Sequence, residues 1–249
     1  MEKDGPGPAR VARRAPLASL LRYVSRVMPP PLPLLPPGSR WLCQRKDLLL
    51  LAVEDPPQCR TLRVSGGKKG EDGYRSYRLA FPYLIYLLTF RQDIFEEMKM
   101  FFRVAPLASP EDTLYHTCLP NVRGEPGHYG SQRVCLRYRP EMVEGVPLAE
   151  AAPALLDFFW STGFNQDIRN SAFERASSLL PDPRLAHLAA WEQATAADPL
   201  FPLEVDWEAA DRKLPDLWEE CLKLHGETGQ PVQDAGELAD ILIRLPVGY

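Results

Sequence analysis

The residue pattern predicts an α+β fold, with an antiparallel strand meander first and helices afterwards. Three observations carry this. Residues 41–104 are dense in β-branched, aromatic and alternating apolar residues interrupted by turn signals. From Pro147 onward the apolar residues recur at helical spacing. Strands grouped before helices give α+β order, whereas a parallel sheet needs strand and helix to alternate.

The elements follow in chain order. Residues 1–15 are charged and contain Gly and Pro, the composition of a disordered terminus. Residues 16–28 can form a short basic amphipathic helix. The run from Met28 to Gly38 is proline-rich and is expected to be an extended, polyproline-like spacer. These stretches make up an N-terminal extension over 1–39. From Trp41 the texture turns to β. Asp47 to Val53 reads as an apolar strand stopped by Asp55-Pro56-Pro57, and Cys59 to Val64 as an alternating one. Gly66 to Gly73 reads as a hairpin turn, because it lacks the Gly-Lys-Ser/Thr ending of a phosphate loop. Tyr74 to Phe90 is a strand pair or one bent strand with Pro82 near its middle, and Phe95 to Val104 holds a further strand.

Residues 105–139 have loop composition, broken by two short islands, Thr113–Leu119 and Arg133–Leu136. A loop of that length inside a compact domain is usually functional. Helices are expected over Leu148 to Thr162 with Gly163 as its stop, Leu185 to Ala197, Asp206 to Leu224, and Ala235 to Ile243. The chain thus divides into the extension, an α+β domain over 40–165, and a helical region over 166–249. Trp191, Trp207 and Trp218 read as packing residues, and Glu219-Glu220 as a solvated helix face.

Composition narrows the function classes. A formal net charge of −4 gives no electrostatic case for nucleic acid as principal partner. No run of about 18 apolar residues exists for a spanning helix. Five scattered cysteines, Cys43, Cys59, Cys118, Cys135 and Cys221, are no disulfide framework and suit a reducing, cytoplasmic setting. No cofactor and no metal are expected.

The two islands carry the chemistry. Tyr115-His116-Thr117-Cys118-Leu119-Pro120-Asn121-Val122 is followed, after the Gly-rich stretch 123–130, by Arg133-Val134-Cys135-Leu136. This order resembles the E2 ubiquitin-conjugating family, whose mark is a His-Pro-Asn turn followed by a cysteine before a leucine. It is most similar to the bacterial E2-like group, prokaryotic E2 family D or PRTRC system protein B. The helix ending in Phe158-Phe159-Trp160-Ser161-Thr162-Gly163-Phe164 fits the same group, so the resemblance spans about residues 40–165.

The resemblance implies a UBC-like fold and a transferase that carries a ubiquitin-like modifier as a thioester on Cys135. The thiolate is the nucleophile, and the tetrahedral intermediate carries an oxyanion. Asn121 takes the position that stabilises that oxyanion or orders the loop, and Pro120 stiffens its turn. Leu119 stands where the family has histidine, leaving His116 as the candidate for the turn's hydrogen bonds. The implied partners are a ubiquitin-like protein, an adenylating E1-like (ThiF-type) enzyme and a protein target. Arg137 and Arg139 would lower the thiol pKa if close to it.

Three other readings use the same residues. A degenerate E2-like domain can act as an adaptor without catalysis. Cys135 with His116 or His128 can form a Cys-His hydrolase. His116, Cys118, His128 and Cys135 number four zinc-type ligands, at a spacing that matches no common knuckle.

Overall fold

The structure is a computed structural model that describes residues 34–65, 73–91, 94–124, 131–136, 143, 145–165, 168 and 171–225. All the elements below belong to one compact unit that begins at Leu35. The expected helices over 16–28 and Ala235 to Ile243, the hairpin turn proper, and Arg137 and Arg139 lie outside the described residues. The fold is α+β, an antiparallel sheet followed by helices.

Six strands form: β1 Ser39–Arg45, β2 Leu48–Asp55, β3 Gln58–Ser65, β4 Tyr74–Phe81, β5 Tyr83–Arg91 and β6 Ile94–Arg103. The main sheet has the order β1-β2-β5-β6, all antiparallel, and β3-β4 is a separate two-stranded ribbon. Register shows how the two relate. The β2–β5 ladder ends at Asp55↔Leu84, and the β3–β4 ladder begins at Gln58↔Phe81. Between them stand Pro56 and Pro57 on one arm and Pro82 on the other. Proline has no N–H to give a ladder, so one long hairpin breaks where its prolines face each other.

A polar group ties that break to the first helix, α1 Leu148–Ser161. Trp160 Nε1 donates to the Tyr86 hydroxyl at 2.9 Å, and that hydroxyl donates to Asp55 Oδ2 at 3.0 Å. Arg60 binds the same carboxylate at 2.6 Å and lies 4.5 Å over the Trp160 ring. The burial of the Tyr86 hydroxyl holds its pKa well above the ordinary phenol value.

Alternation divides the sheet into two apolar faces. Leu51, Val53, Leu84, Tyr86, Leu88, Met98, Met100 and Phe102 point into the larger core with Ala152, Leu155 and Phe159 of α1. Three further helices follow: α2 Ala172–Leu179, α3 Leu188–Ala197 and α4 Leu214–His225. Ala172, Ala176, Trp191, Phe201 and Trp207 join the larger core, so the described part of 166–249 shares the core of the sheet domain. Leu50, Ala52, Ile85, Leu87 and Phe101 face the other way, where Leu214 and Leu217 of α4 cover them, with Trp218 partly buried against the same cluster.

Four expectations need correction. The end of the Pro-rich run is a turn, not an extended spacer. Gly38 sits at φ +80°, its carbonyl accepts from Glu54 N at 2.8 Å, and a Cβ there would meet Glu54 O at 2.5 Å. The helix expected over Asp206 to Leu224 starts only at Leu214, because Pro215 belongs to its first turn, where the missing N–H costs nothing. Helix α2 was not expected, although Ser171 and Glu174 form a capping box at its start. Glu220 is not on a solvated face. Its side chain is only 11% exposed and binds both Lys99, at 2.9 Å, and Arg212.

Gly163 does follow α1, with Thr162 already extended, yet it needs no left-handed backbone. Its small size is used instead, since a Cβ would lie 2.4 Å from Tyr74 Cε1.

Candidate functional site

Strand β6 has one edge on β5, and the two islands of the long loop share the other. Tyr115 exchanges both backbone hydrogen bonds with Phe102, at 2.8 and 2.9 Å. Further along, Met100 N donates to Gln132 O and Val134 N to Met98 O, at 3.0 and 2.8 Å. Residues 121–123 then pair on the far side of 132–135. Arg123 N donates to Arg133 O, Gln132 N to Arg123 O and Cys135 N to Asn121 O, at 3.1, 2.8 and 2.8 Å. The loop is therefore two more strand-like layers on the sheet, too short for the sequence pattern to announce them.

This pairing puts Cys135 beside the Pro120-Asn121 turn. Alternation buries Val134 and turns Cys135 outward, and its side is exposed. Cys118 is the opposite case, fully buried, with burial pushing its thiol pKa far up. Cys221 lies on the buried face of α4 against Thr89, and burial pushes its thiol pKa up to about 11. A cleft of about 110 Å³ runs along the Cys135 segment, lined by Phe95, Glu96, Glu97, Met98, Arg133, Val134 and Leu136.

Asn121 is 6% exposed, and its carboxamide is committed to backbone. Oδ1 accepts from Asn165 N at 3.0 Å, and Nδ2 donates to Gly163 O at 3.4 Å. The clasped segment 163–165 in turn pairs with β3, through Phe164 N to Arg63 O and Ser65 N to Phe164 O. Two further hydrogen bonds to the turn come from the start of α2, where Ala172 N donates to Val122 O and Phe173 N to Leu119 O. Leu119 is wholly buried in the larger core, so an apolar side chain fills that place by packing.

His116 is held elsewhere. Its backbone N–H donates to Glu208 O at 2.9 Å, and its buried Nδ1 has no hydrogen-bond partner. Burial lowers its pKa, with Glu208 the strongest opposing charge and Arg175, Asp211 and Arg212 nearby. His128 lies outside the described residues. Among the described residues no three His, Cys, Asp or Glu side chains stand together as a metal site.

Gln132 was not singled out by the sequence, yet it organises the site. It is fully buried at φ +60°, a left-handed conformation uncommon for a residue with a Cβ. Its Oε1 accepts from both Thr117 N and Thr117 Oγ1 at 2.8 Å, which locks the two islands together. Nothing in a lone glutamine signals this, because the role exists only once both islands lie on β6.

Among the described residues no helix is long and apolar enough to cross a membrane. In comparisons with known proteins, no family model, no curated protein and no solved structure matches this chain.

Proposed function

We propose that the chain is an E2-like carrier of a ubiquitin-like modifier, built on a UBC-like fold, with Cys135 as the thioester-forming residue. The observation that carries this reading is the placement of Cys135. It is an exposed thiol at the end of a paired segment, hydrogen-bonded through its backbone to the Asn121 carbonyl of a rigid Pro-Asn turn. The antiparallel sheet followed by helices supports the fold part of the proposal. In the reaction, the Cys135 thiolate attacks the modifier's thioester carbonyl on an E1-like enzyme and releases that enzyme's thiolate. An amine of the target then attacks the new thioester, loses a proton and frees Cys135. Glu96 in the adjoining cleft supplies negative charge near an incoming ammonium group, while Glu97 there is paired with Arg133.

One observation is equally compatible with a second reading, an E2-like adaptor without catalysis. Both polar atoms of the Asn121 carboxamide are already used in ordering the 163–165 segment, which suits a scaffold as well as an enzyme. The Cys-His hydrolase gains less support, because the charges around His116 come from Glu208, Arg175, Asp211 and Arg212.

The test is incubation with an E1-like enzyme, its ubiquitin-like protein and ATP, followed by non-reducing electrophoresis. A carrier gives an adduct that thiols remove and that Cys135→Ala abolishes. No reducible adduct, with binding of the ubiquitin-like protein retained, selects the adaptor.

A further inference from the structure

The ribbon β3–β4 carries Arg60, Arg63, Arg75 and Arg78 and no acidic residue, in a chain whose formal net charge is −4. Arg60 is neutralised by Asp55. Arg63, Arg75 and Arg78 are exposed and form no ion pair among the described residues. Two of them are held in place by aromatic rings. The Arg63 guanidinium lies 5.0 Å from the Tyr74 ring centroid, and that of Arg75 lies 4.8 Å from Tyr77.

Register places Thr61 opposite Arg78 and Arg63 opposite Ser76, so Arg63 and Arg78 share the outer face with Tyr74. The ribbon's free edge is partly covered. Arg78 N donates to Glu192 Oε1, Ala80 N to Thr195 Oγ1, and Ala80 O accepts from Trp191 Nε1, all from α3. Beyond those contacts the edge runs on through Tyr74–Ser76, which is exposed.

From these observations we infer that the outer face of the β3–β4 ribbon docks an acidic stretch of a protein partner, with Arg63 and Arg78 binding its carboxylates. The Tyr74 ring beside it restrains the exposed Arg63 guanidinium, a group whose N–H fork matches a carboxylate in bidentate fashion. Nucleic acid fits less well. Single strands need several open aromatic faces for their bases, and here Tyr74, though 53% exposed, already has one face taken by Arg63. The face also leads toward the candidate site. Tyr74 touches Gly163, Gly163 O accepts from Asn121 Nδ2, and Asn121 O accepts from Cys135 N. A partner docked there is linked to the Asn121 turn through Tyr74 and Gly163, whether or not Cys135 forms a thioester.

Fluorescence anisotropy on the intact chain tests this with three labelled probes: a short peptide alternating glutamate and serine, its glutamine counterpart, and an oligothymidylate of similar charge. The glutamate peptide should bind, with affinity falling as salt rises, and the glutamine peptide should not. Arg63→Glu with Arg78→Glu should weaken binding by about tenfold or more. Arg63→Lys with Arg78→Lys should keep part of it, and this milder pair decides the matter if the charge reversal unfolds the chain. Cys135→Ala should bind as the parent does, which separates this surface from the thioester proposal. Equal binding of the glutamate and glutamine peptides, tighter binding of oligothymidylate, no binding of the glutamate peptide, or unchanged affinity in both arginine pairs would each overturn the assignment.

Discussion

Asn121 and Asn165 are joined by a 3.0 Å hydrogen bond from backbone N–H to side-chain Oδ1, which closes the Pro-Asn turn onto the segment after α1. Removing that acceptor takes the partner from a part-buried donor. Asn121→Ala should therefore cost about 1–3 kcal/mol in denaturant unfolding. Asn121→Asp keeps the acceptor but sets a carboxylate oxygen against Gly163 O, so it should also destabilise. If Asn121 acts only in ordering the loop, any loss of adduct formation will follow the loss of stability across both variants.

Two glycines near the site should respond differently to alanine. At Gly124 a Cβ would meet backbone, Ser171 O at 2.7 Å and Ala172 N at 2.9 Å, and neither can retreat without shifting α2. Gly124→Ala should cost about 2–3 kcal/mol. At Gly163 the obstacle is the Tyr74 ring, which is 53% exposed and can swing into solvent. Gly163→Ala should cost less than about 1 kcal/mol, and Tyr74→Ala should remove that cost. Thermal unfolding of the single and double variants checks the order.

The cysteines should label in an order set by exposure. Cys135 is exposed, Cys43 and Cys59 are half-buried, and Cys118 and Cys221 are buried. Brief treatment with iodoacetamide under native conditions should modify Cys135 first and leave Cys118 and Cys221 protected until the chain unfolds. Peptide mass spectrometry reads the sequence of events. Early modification of Cys118 would contradict its place in the core.

His116 gives a pH dependence with a definite sign. Burial lowers its folded pKa below the ordinary value of 6.5, so the unfolded chain binds the proton more readily. Stability should fall as pH drops from 6.5 toward the folded value, and should level off below it. Denaturation midpoints measured between neutral and mildly acidic pH should show a shallower decline in His116→Gln than in the parent. An identical decline in both would place the titration elsewhere.

The legible parts of the fold were those where periodicity outlasts a few residues. The strands showed themselves because Leu51, Val53 and their neighbours alternate between two apolar faces, and Pro82 marked the break in the long hairpin. The Asp206 boundary misled because Asp206 looks like a cap, while Pro215 holds the real first turn. Helix α2 had a readable signal in Ser171 and Glu174, hidden by its brevity. The Cys135–Asn121 adjacency followed from a motif. Gln132 and the layering of both islands on β6 depend on contacts between distant segments, which no local pattern encodes.

The shared outer edge of β6 also constrains how the chain can be made. During synthesis from the N-terminus, β6 is complete at Arg103, yet its outer edge stays bare until residues 115 and 132–134 have emerged. The matching edge of β3 waits longer still, for Phe164. Through that interval an apolar sheet with unpaired backbone groups is open to pairing with other chains. A truncation before residue 134 should therefore yield aggregates, and slowed translation across 104–134 should lengthen the hazardous interval.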